Sequence, residues 1–351
     1  MNQKLKGRIF SLSLFLLLIV FTFTALARAP VSHDIRPGYG VNDIKWLSDY
    51  FQPLHDTPGD SKVYVLQGED PSGKALILGG THSNEAAGIL TAILLVEQSN
   101  VSVGTLYVVP HANNSASSYT DPRYEVPEWL EFSGNSGERT FRYGARYTNS
   151  EHQTGDPDNF IHPSGREFPG SEARNLNRVH PGKPDGTLTQ RISYSLFELV
   201  KEEKVDVIID MHEAGPQSRL SNTLVAHPGS LDIAAMAKIN LEMNGLDIKL
   251  EKSRPKEKFP GLSHREFGDH TDAYPFLTET KNPGQTEGKD LDRVYKDPKN
   301  PIEERVKIQL KLIQEIISSY NSYNSSGKQL KYEMSFSFAE LLEKGIDSVL
   351  R

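Results

Sequence analysis

One stretch, residues 75–96, predicts a strand, a turn and a helix in direct succession. Residues 75–78 are a short apolar run that is typical of a buried strand, and residues 86–96 are an apolar run of helical length. His82 and Glu85 therefore lie where a strand ends and a helix begins, which is where open α/β sheets bind their ligands. An imidazole and a carboxylate three residues apart in such a turn can reach the same cation.

Strand and helix patterns alternate along the rest of the chain. Residues 205–212 are β-branched and nearly all apolar, as expected for a central parallel strand. The pattern predicts strands at residues 63–67, 105–109, 223–226, 248–250 and 274–280, helices at 188–203, 231–243 and 302–320, and a helical turn at 44–47. This alternation is typical of the α/β class with a mostly parallel, doubly wound sheet.

The first 29 residues have the pattern of a secretory signal peptide. Lys4, Lys6 and Arg8 precede an apolar stretch that begins at Ile9, and small residues suited to cleavage follow at residues 25–29. We therefore expect export to the periplasm or the cell exterior. An uncleaved membrane anchor is the alternative, because residues 9–27 are just long enough to span a bilayer. The chain contains no cysteine, which excludes disulfides and lipid attachment through cysteine.

The length and net charge of the chain restrict its domain organisation and the classes of partner that it can bind. A chain of 351 residues can form one large α/β domain, which we place at residues 30–320 with its core at 63–317. A polar stretch begins near residue 320, so residues 321–351 are predicted to form a tail with one short helix within 338–350. The net charge is −7 and there is no long basic run, which argues against a nucleic-acid partner.

Two polar stretches interrupt the alternation. Residues 111–178 lose periodicity, and their aromatic and arginine content predicts an ordered insertion that builds a site. Residues 255–272 are predicted to form a loop, either solvated or at the rim of that site, which carries His264, Arg265 and His270. Glu287 lies in a turn and is expected at the surface.

His82, Glu85 and His212 are candidate ligands of a catalytic zinc site. Such a site takes three ligands from His and Asp/Glu and leaves the fourth position to water. His212 lies at the end of the central strand, and the ends of parallel strands meet at one edge of a sheet. Zinc-bound water ionises near neutral pH and becomes a nucleophile. Asp210 is expected to orient a neighbouring group.

A hydrolase of this kind also needs a base and a substrate anchor. Glu279, at the end of a predicted strand, is the candidate base that moves the proton of the water. Residues 174–178, Arg-Asn-Leu-Asn-Arg, are the candidate anchor. An arginine pairs with a carboxylate through two hydrogen bonds, and an adjacent asparagine can add a third.

Four motifs occur in a fixed order: His82-x-x-Glu85, Asn175-Leu-Asn-Arg178, Asp210-Met-His-Glu213 and Thr278-Glu279. Together they resemble the zinc carboxypeptidase superfamily, and within it the succinylglutamate desuccinylase/aspartoacylase branch. The likeness covers roughly residues 63–317. It implies a single domain with a mixed eight-stranded sheet flanked by helices.

The resemblance also implies the role of each site residue. His82, Glu85 and His212 would bind Zn²⁺, and Glu279 would be the general base and acid. Asn177 and Arg178 would bind the carboxylate of the substrate. Relatives polarise the scissile carbonyl with an arginine that lies upstream of this pair, and Arg166 and Arg174 are both candidates here.

The implied reaction is hydrolysis of an amide bond next to a free carboxylate. The residues that make up the four motifs favour an N-acyl amino acid deacylase. The export signal, and the lack of a recognisable C-terminal β-domain to close over a small substrate, favour a carboxypeptidase that acts on peptides or cell-wall peptides. A non-catalytic carboxylate-binding protein is a third alternative, but it would require a lost ligand or base, and none of the four motifs is broken. We expect membrane contact only through the N-terminal segment, if that segment is not cleaved.

Overall fold

The structure is a computed structural model that describes residues 32–122, 126–134, 137–153, 155–254, 259–285 and 293–351. The predicted signal peptide and Glu287 lie outside these residues. Within the described ranges, no helix is both long enough and apolar enough to cross a membrane.

A nine-stranded mixed sheet forms the centre of the fold, with the order β1-β2-β4-β3-β9-β12-β10-β11 and β13 paired with β4. The strands are β1 (Asp43–Trp46), β2 (Lys62–Gln67), β3 (Asp70–Leu78), β4 (Ser99–Val109), β9 (Val207–Ala214), β10 (Thr223–Ala226), β11 (Lys249–Lys252), β12 (Tyr274–Lys281) and β13 (Lys331–Met334). The four central strands, β4, β3, β9 and β12, are parallel to one another. The prediction of an α/β domain with a mixed, mostly parallel sheet is confirmed, with one strand more than the predicted eight.

The sequence pattern missed two strands of the sheet, β1 and β13. The second of these, β13, pairs antiparallel with the first half of β4. Its four residues are exposed or half-buried and include two charged side chains, so no apolar run marks it in the sequence. The predicted helical turn at residues 44–47 was wrong for a related reason. Residues 43–46 form the edge strand β1, and helix begins only at Leu47.

Helices cover both faces of the sheet. They are α1 (Leu47–Tyr50), α2 (Ala86–Gln98), α3 (Leu176–Val179), α4 (Leu188–Glu203), α5 (Leu231–Met243), α6 (Ser263–His270), α7 (Arg293–Lys296), α8 (Ile302–Tyr323) and α9 (Phe338–Lys344). Helices α2, α5 and α8 pack on one face, and α1, α4 and α6 pack on the other. The loop predicted at residues 255–272 was wrong in its second half, because α6 buries Phe267 in the second of these cores although its composition is polar.

The alternation of side chains along β9 decides which face carries the polar residues of this strand. Val207, Ile209 and Met211 enter the core under α2 and α8, and Ile208 enters the opposite core. Since strand side chains alternate, Asp210 and His212 lie on the same face as Ile208, towards α6. Both are buried, at the carboxyl end of the central strand.

The insertion at residues 111–178 is ordered where it is described, and it returns to the turn after β3. It contains the hairpins β5–β6 (Trp129–Gly134 and Gly137–Arg142) and β7–β8 (Asn159–Ile161 and Glu167–Pro169). The backbone N–H of Ser83 donates to the carbonyl of Ala145 (2.9 Å), and the N–H of Gly144 donates to the carbonyl of Ser83 (3.0 Å). A Cβ at Gly144 would lie 2.4 Å from that of Ser83, so this close approach requires glycine.

Candidate metal centre and substrate cavity

His82, Glu85 and His212 converge on one buried point. Each offers a ligand atom, and these atoms lie within 4.8 Å of one another. Nδ1 of His82 is 2.9 Å from Oε1 of Glu85, and Nδ1 of His212 is 2.9 Å from Oε2 of the same carboxylate. The two Nδ1 atoms are 3.1 Å apart. The structure thus brings together the three residues that the sequence nominated as metal ligands.

The outer nitrogens of both imidazoles are held by oxygens. Nε2 of His82 lies 2.9 Å from Oδ1 of Asn175, whose own amide nitrogen donates to Glu172 (2.8 Å) and so fixes the orientation of that amide. Nε2 of His212 lies 2.9 Å from Oδ2 of Asp210. Because these oxygens can only accept, the proton of each neutral ring belongs on Nε2. With both rings neutral, the lone pairs of the two Nδ1 atoms would face each other and Glu85, and a cation between them would remove their repulsion, so the donor set fits a metal ion.

The charges of this group depend on one another. Burial favours the neutral form of Glu85, but the adjacent His82 and His212 outweigh it and hold the pKa of Glu85 well below its usual value. Burial, with a contribution from Arg146, lowers the pKa of His82 to about 4. Burial acts on His212 too, but the carboxylates of Asp210 and Glu85 raise the pKa of His212 well above its usual value. The pocket therefore favours one positive charge between the imidazoles, which a divalent ion can supply in place of a proton.

A cavity of about 480 Å³ opens onto this group. Glu279, Asn177 and Arg178 line it together with the three candidate ligands. Glu279 lies on β12 directly beside His212 on β9 in the parallel register. The volume is within the range of small-molecule sites, roughly 300–1,000 Å³. Six of the residues predicted to act on the substrate or the metal therefore line one cavity, although they come from four separate parts of the sequence.

Glu279 is in an unusual environment for a carboxylate. It is buried, and its Oε2 has no hydrogen-bond partner among the described residues. Burial and the nearby charge of Glu85 raise the pKa of Glu279 to about 8, although His212 and Arg146 oppose them. A carboxylate with a raised pKa is a stronger base than an exposed one, and a cation bound beside it would lower the pKa again.

Asn177 and Arg178 present donors to the cavity. The N–H of Ser263, at the start of α6, donates to Oδ1 of Asn177 (2.8 Å), which turns the amide nitrogen of Asn177 away from this contact. Arg178 donates from Nη1 to the carbonyl of Asn177 (2.7 Å), and its Nε is 3.7 Å from Oε2 of Glu172. Only this distant carboxylate faces the Arg178 guanidinium among the described residues, which leaves donors for a carboxylate ligand.

The structure does not bring Arg166 or Arg174 into the cavity. Arg166 is exposed in the turn between β7 and β8. Arg174 forms two hydrogen bonds to Asp156, of 2.6 and 2.8 Å, and a third to the carbonyl of Thr148. Its guanidinium is thus occupied by a fold-stabilising ion pair outside the site.

A third arginine, Arg146, lies beside the candidate metal ligands. Its Nη1 is 3.3 Å from Nδ1 of His82 and 3.5 Å from Oε1 of Glu85, and the side chain lines the cavity. It belongs to an aperiodic part of the insertion, next to the backbone contact between Ser83 and Gly144. Nothing in its sequence spacing singles it out, because only that tertiary contact carries it to the metal-ligating turn.

The three residues of the predicted loop at 255–272 separate in the structure. His264 is buried in the first turn of α6 and lines the cavity. Arg265 is also buried and donates to Oγ of Ser253 (2.8 Å). His270 is half-exposed and lies 3.3 Å from Glu266 on the same helix. Only His264 of the three faces the site.

The chain belongs to the class of α/β folds in which helices cover both faces of a mixed, mostly parallel sheet. Two histidines and a glutamate lie together beside the central strands of this sheet. No protein family model and no curated protein sequence matches the chain. Among solved structures, tripeptide-bound cell shape determinant Csd4 from Helicobacter pylori matches with a TM-score of 0.50 at 11% identity, over 81% of this chain and 60% of that one. At such identity the match establishes the fold alone. The fold implied by the resemblance that the motifs show is therefore confirmed.

Two further solved structures match with lower TM-scores. The product-bound ectoine utilization protein EutE from Ruegeria pomeroyi is 19% identical, with a TM-score of 0.46 over 74% of this chain and 60% of that one. A succinylglutamate desuccinylase from Silicibacter sp. is 16% identical, with a TM-score of 0.45 over 83% of this chain and 71% of that one. The chain thus spans about 60% of the length of Csd4 and EutE.

Proposed function

We propose that this protein is a zinc-dependent hydrolase that cleaves an amide bond next to a free carboxylate. The observation that carries the proposal is the convergence of His82, Glu85 and His212, with both Nδ1 atoms turned inward, at the wall of a cavity that also contains Glu279 and Arg178. The solved structures that share the fold are named as a carboxypeptidase and a desuccinylase among others, which agrees with hydrolysis.

Each residue of the site has a specific role in this reaction. A zinc ion held by the three ligands would polarise the scissile carbonyl and activate water. Glu279 takes a proton from the attacking water and passes it to the leaving nitrogen, so that the C–N bond breaks to give a carboxylic acid and an amine. Arg146 lies beside the ligands and stabilises the negative charge that develops on the carbonyl oxygen. Asn177 and Arg178 bind the carboxylate of the substrate.

The substrate is an N-acyl amino acid or a peptide with a free C-terminus, and one observation favours the peptide. Residues 321–351 pack against β4, α8 and the β5–β6 hairpin, and none of them lines the cavity. Residues 321–351 therefore do not close the mouth of the site to a longer substrate. The neighbour Csd4 is described as a D,L-carboxypeptidase and was solved with a tripeptide.

The test combines metal analysis with a substrate panel. We expect purified protein to contain one zinc ion per chain. We also expect it to release amine from N-acyl amino acids or short peptides, including peptides with D-residues. Glu279→Gln should keep the metal and lose activity by about 10²–10⁴-fold, the usual contribution of a general base. Glu198→Gln, on the outer helix α4 and paired with Lys201, is the matched control and should retain activity.

The outcomes separate the candidate functions. Faster cleavage of peptides than of N-acyl amino acids would identify a carboxypeptidase, and the reverse would identify a deacylase. A wild-type protein that binds these carboxylates and cleaves none of them would instead be a binding protein. Export through the N-terminal segment remains part of the proposal and is tested by cell fractionation and by sequencing the N-terminus of the mature protein.

A further inference from the structure

Glu85 lies at the start of a helix and beside the two candidate histidine ligands, and both places can use its one carboxylate. It is the N-cap residue of α2, the position from which a side-chain oxygen can accept a hydrogen bond from the first free N–H groups of the helix. Its carboxylate makes no such bond and instead faces His82 and His212. The helix end is nonetheless buried, so its N–H groups need another acceptor.

Glu213 supplies that acceptor from a different element. Its Oε2 accepts a hydrogen bond from the N–H of Ala87, in the first turn of α2, at 3.0 Å. In the opposite direction, the backbone N–H of Glu213 donates to Oε2 of Glu85, also at 3.0 Å. The two glutamates thus form a crossed pair of carboxylate-to-amide hydrogen bonds between the β3–α2 turn and the end of β9. A carboxylate is also favoured at a helix N-terminus by the helix dipole.

The Glu213 carboxylate is itself fixed from the far side. Oγ1 of Thr280 donates to Oε1 of Glu213 at 3.2 Å, and Nε of Arg305 lies 3.4 Å from the same oxygen. Glu213 and Arg305 are both buried, so each neutralises a charge that would be costly alone. This support comes from β12 and α8, two elements that do not depend on the metal-ligating turn.

We infer that Glu213 is a positioning residue of the metal centre, which occupies the N-terminus of α2 so that the Glu85 carboxylate stays directed at the ion. The inference rests on the proposed metal site. Without an acceptor at position 213, the N–H of Ala87 loses its partner, and the carboxylate of the N-cap residue, Glu85, can turn to accept from it. Any movement of the Glu85 carboxylate towards its own helix increases its distance from the imidazoles of His82 and His212. Metal binding and helix capping then compete for one carboxylate.

The experiment measures zinc affinity directly. The full chain is stripped of metal and titrated with Zn²⁺ against a chromophoric chelator. We expect Glu213→Ala to weaken zinc affinity by about 10–100-fold, as is typical when a residue that orients metal ligands is lost. Glu213→Asp keeps the charge that faces Arg305 but shortens the side chain by one methylene, so it should show a loss in the same direction. Glu213→Gln keeps an acceptor at full length and should stay within about threefold of wild type.

Thr187→Ala is the matched control for the loss of a helix cap. Thr187 caps α4 through a hydrogen bond from the N–H of Gln190 and does not line the cavity. A cap of this kind contributes about 1 kcal/mol to stability. The variant should therefore lose stability comparably while its zinc affinity remains that of wild type. Cobalt(II) substitution gives a second readout, because loss of the Glu85 ligand in Glu213→Ala should change the visible absorption of the bound ion.

The outcomes distinguish this inference from the proposed function. A wild-type protein that binds no zinc refutes the metal site itself. A wild-type protein that binds one zinc ion, with Glu213→Ala and Glu213→Asp as tight as wild type, overturns the positioning role and leaves the function intact. An equal loss of affinity in Glu213→Gln would also overturn it, because the acceptor would then not be what matters.

Discussion

Asp210 illustrates how one buried side chain sets the chemistry of its neighbour. It accepts hydrogen bonds from Nε2 of His212, from Oγ1 of Thr81 (2.8 Å) and from Oγ of Ser263. Burial alone would raise the pKa of Asp210, but His212 and these hydrogen bonds outweigh it and lower that pKa to about 2. The carboxylate stays ionised, holds the proton of His212 on Nε2, and so leaves Nδ1 free to face Glu85.

Arg146 gives the sharpest prediction at the level of single residues. We expect Arg146→Ala to lower kcat/KM by about 10²–10³-fold, because one charged donor to the developing oxyanion is lost. Zinc content should not change, since Arg146 supplies no ligand atom. Steady-state kinetics on the best substrate of the panel, together with metal analysis, provide the measurement.

Arg166→Ala is the matched control for Arg146→Ala, because Arg166 is exposed and outside the cavity. It should retain wild-type kinetics. The assignment of Arg146 would have to be abandoned if both variants lost activity equally, or if Arg146→Ala remained fully active.

Helix α8 reaches the site through a buried amide. Nε2 of Gln309 donates to the carbonyl of His212 (2.9 Å) on β9, and Oε1 of Gln309 accepts from Oγ1 of Thr278 (2.6 Å) on β12. One side chain thus ties the two strands that carry His212 and Glu279. Arg305, one turn earlier on α8, faces Glu213 on the same strand end. The helix therefore acts as a brace under the site.

Gln309→Leu should remove this brace at small change in volume. A buried carbonyl and a buried hydroxyl would lose a partner, and we expect the free energy of unfolding to fall by about 1–3 kcal/mol. Urea unfolding followed by circular dichroism gives the value. Gln314→Leu, half-buried on the same helix, should change stability by less than about 0.5 kcal/mol. Equal stability of the two variants would show that the amide contributes no brace.

At the scale of the whole molecule, several histidines are buried in their neutral form. Burial lowers the pKa of His180 to about 4 and the pKa of His264 to about 3. Both side chains are almost fully buried. In the unfolded chain each returns to a pKa near 6.5. As the pH falls below 6.5, the unfolded chain therefore binds protons that the folded protein does not.

This difference predicts that stability falls as the pH is lowered from 6.5 to 5. Each such histidine contributes a loss of up to about 1.4 kcal/mol per pH unit. Glu279 acts in the opposite sense over this interval. Its pKa is raised to about 8, so it is protonated in the folded protein and ionised in the unfolded chain, and it offsets about one of these histidines. His212 opposes them only above pH 6.5, because its pKa is raised and both states are protonated below that value. Urea unfolding of the metal-free protein at several pH values measures the slope.

A variant pair checks the source of the slope. His180→Gln should make the fall in stability between pH 6.5 and 5 less steep. His55→Gln is the comparison variant, because the His55 side chain is 61% exposed. A wild-type protein whose stability is flat over this interval would contradict neutral burial of these histidines.

The local sequence determined most of the elements and nominated the three candidate metal ligands. The spacing of apolar residues shows which face of a strand or helix is buried, because strands and helices repeat with different periods. This spacing predicted α4, α5 and β10 with the bounds that the structure has. Because strand ends and turns are local features, His82, Glu85, His212 and Glu279 could be nominated from their position along the chain.

Tertiary structure alone decided which arginine faces the ligands and which glutamate caps α2. Arg146 reaches the site through backbone contacts made by an aperiodic insertion, and Glu213 meets Ala87 only because β9 lies beside β3. The polar segments β13 and α6 likewise follow from pairing and burial that their composition does not mark. A sequence pattern records the period of burial within one segment. The meeting of side chains from separate segments depends on how the whole sheet and its covering helices pack.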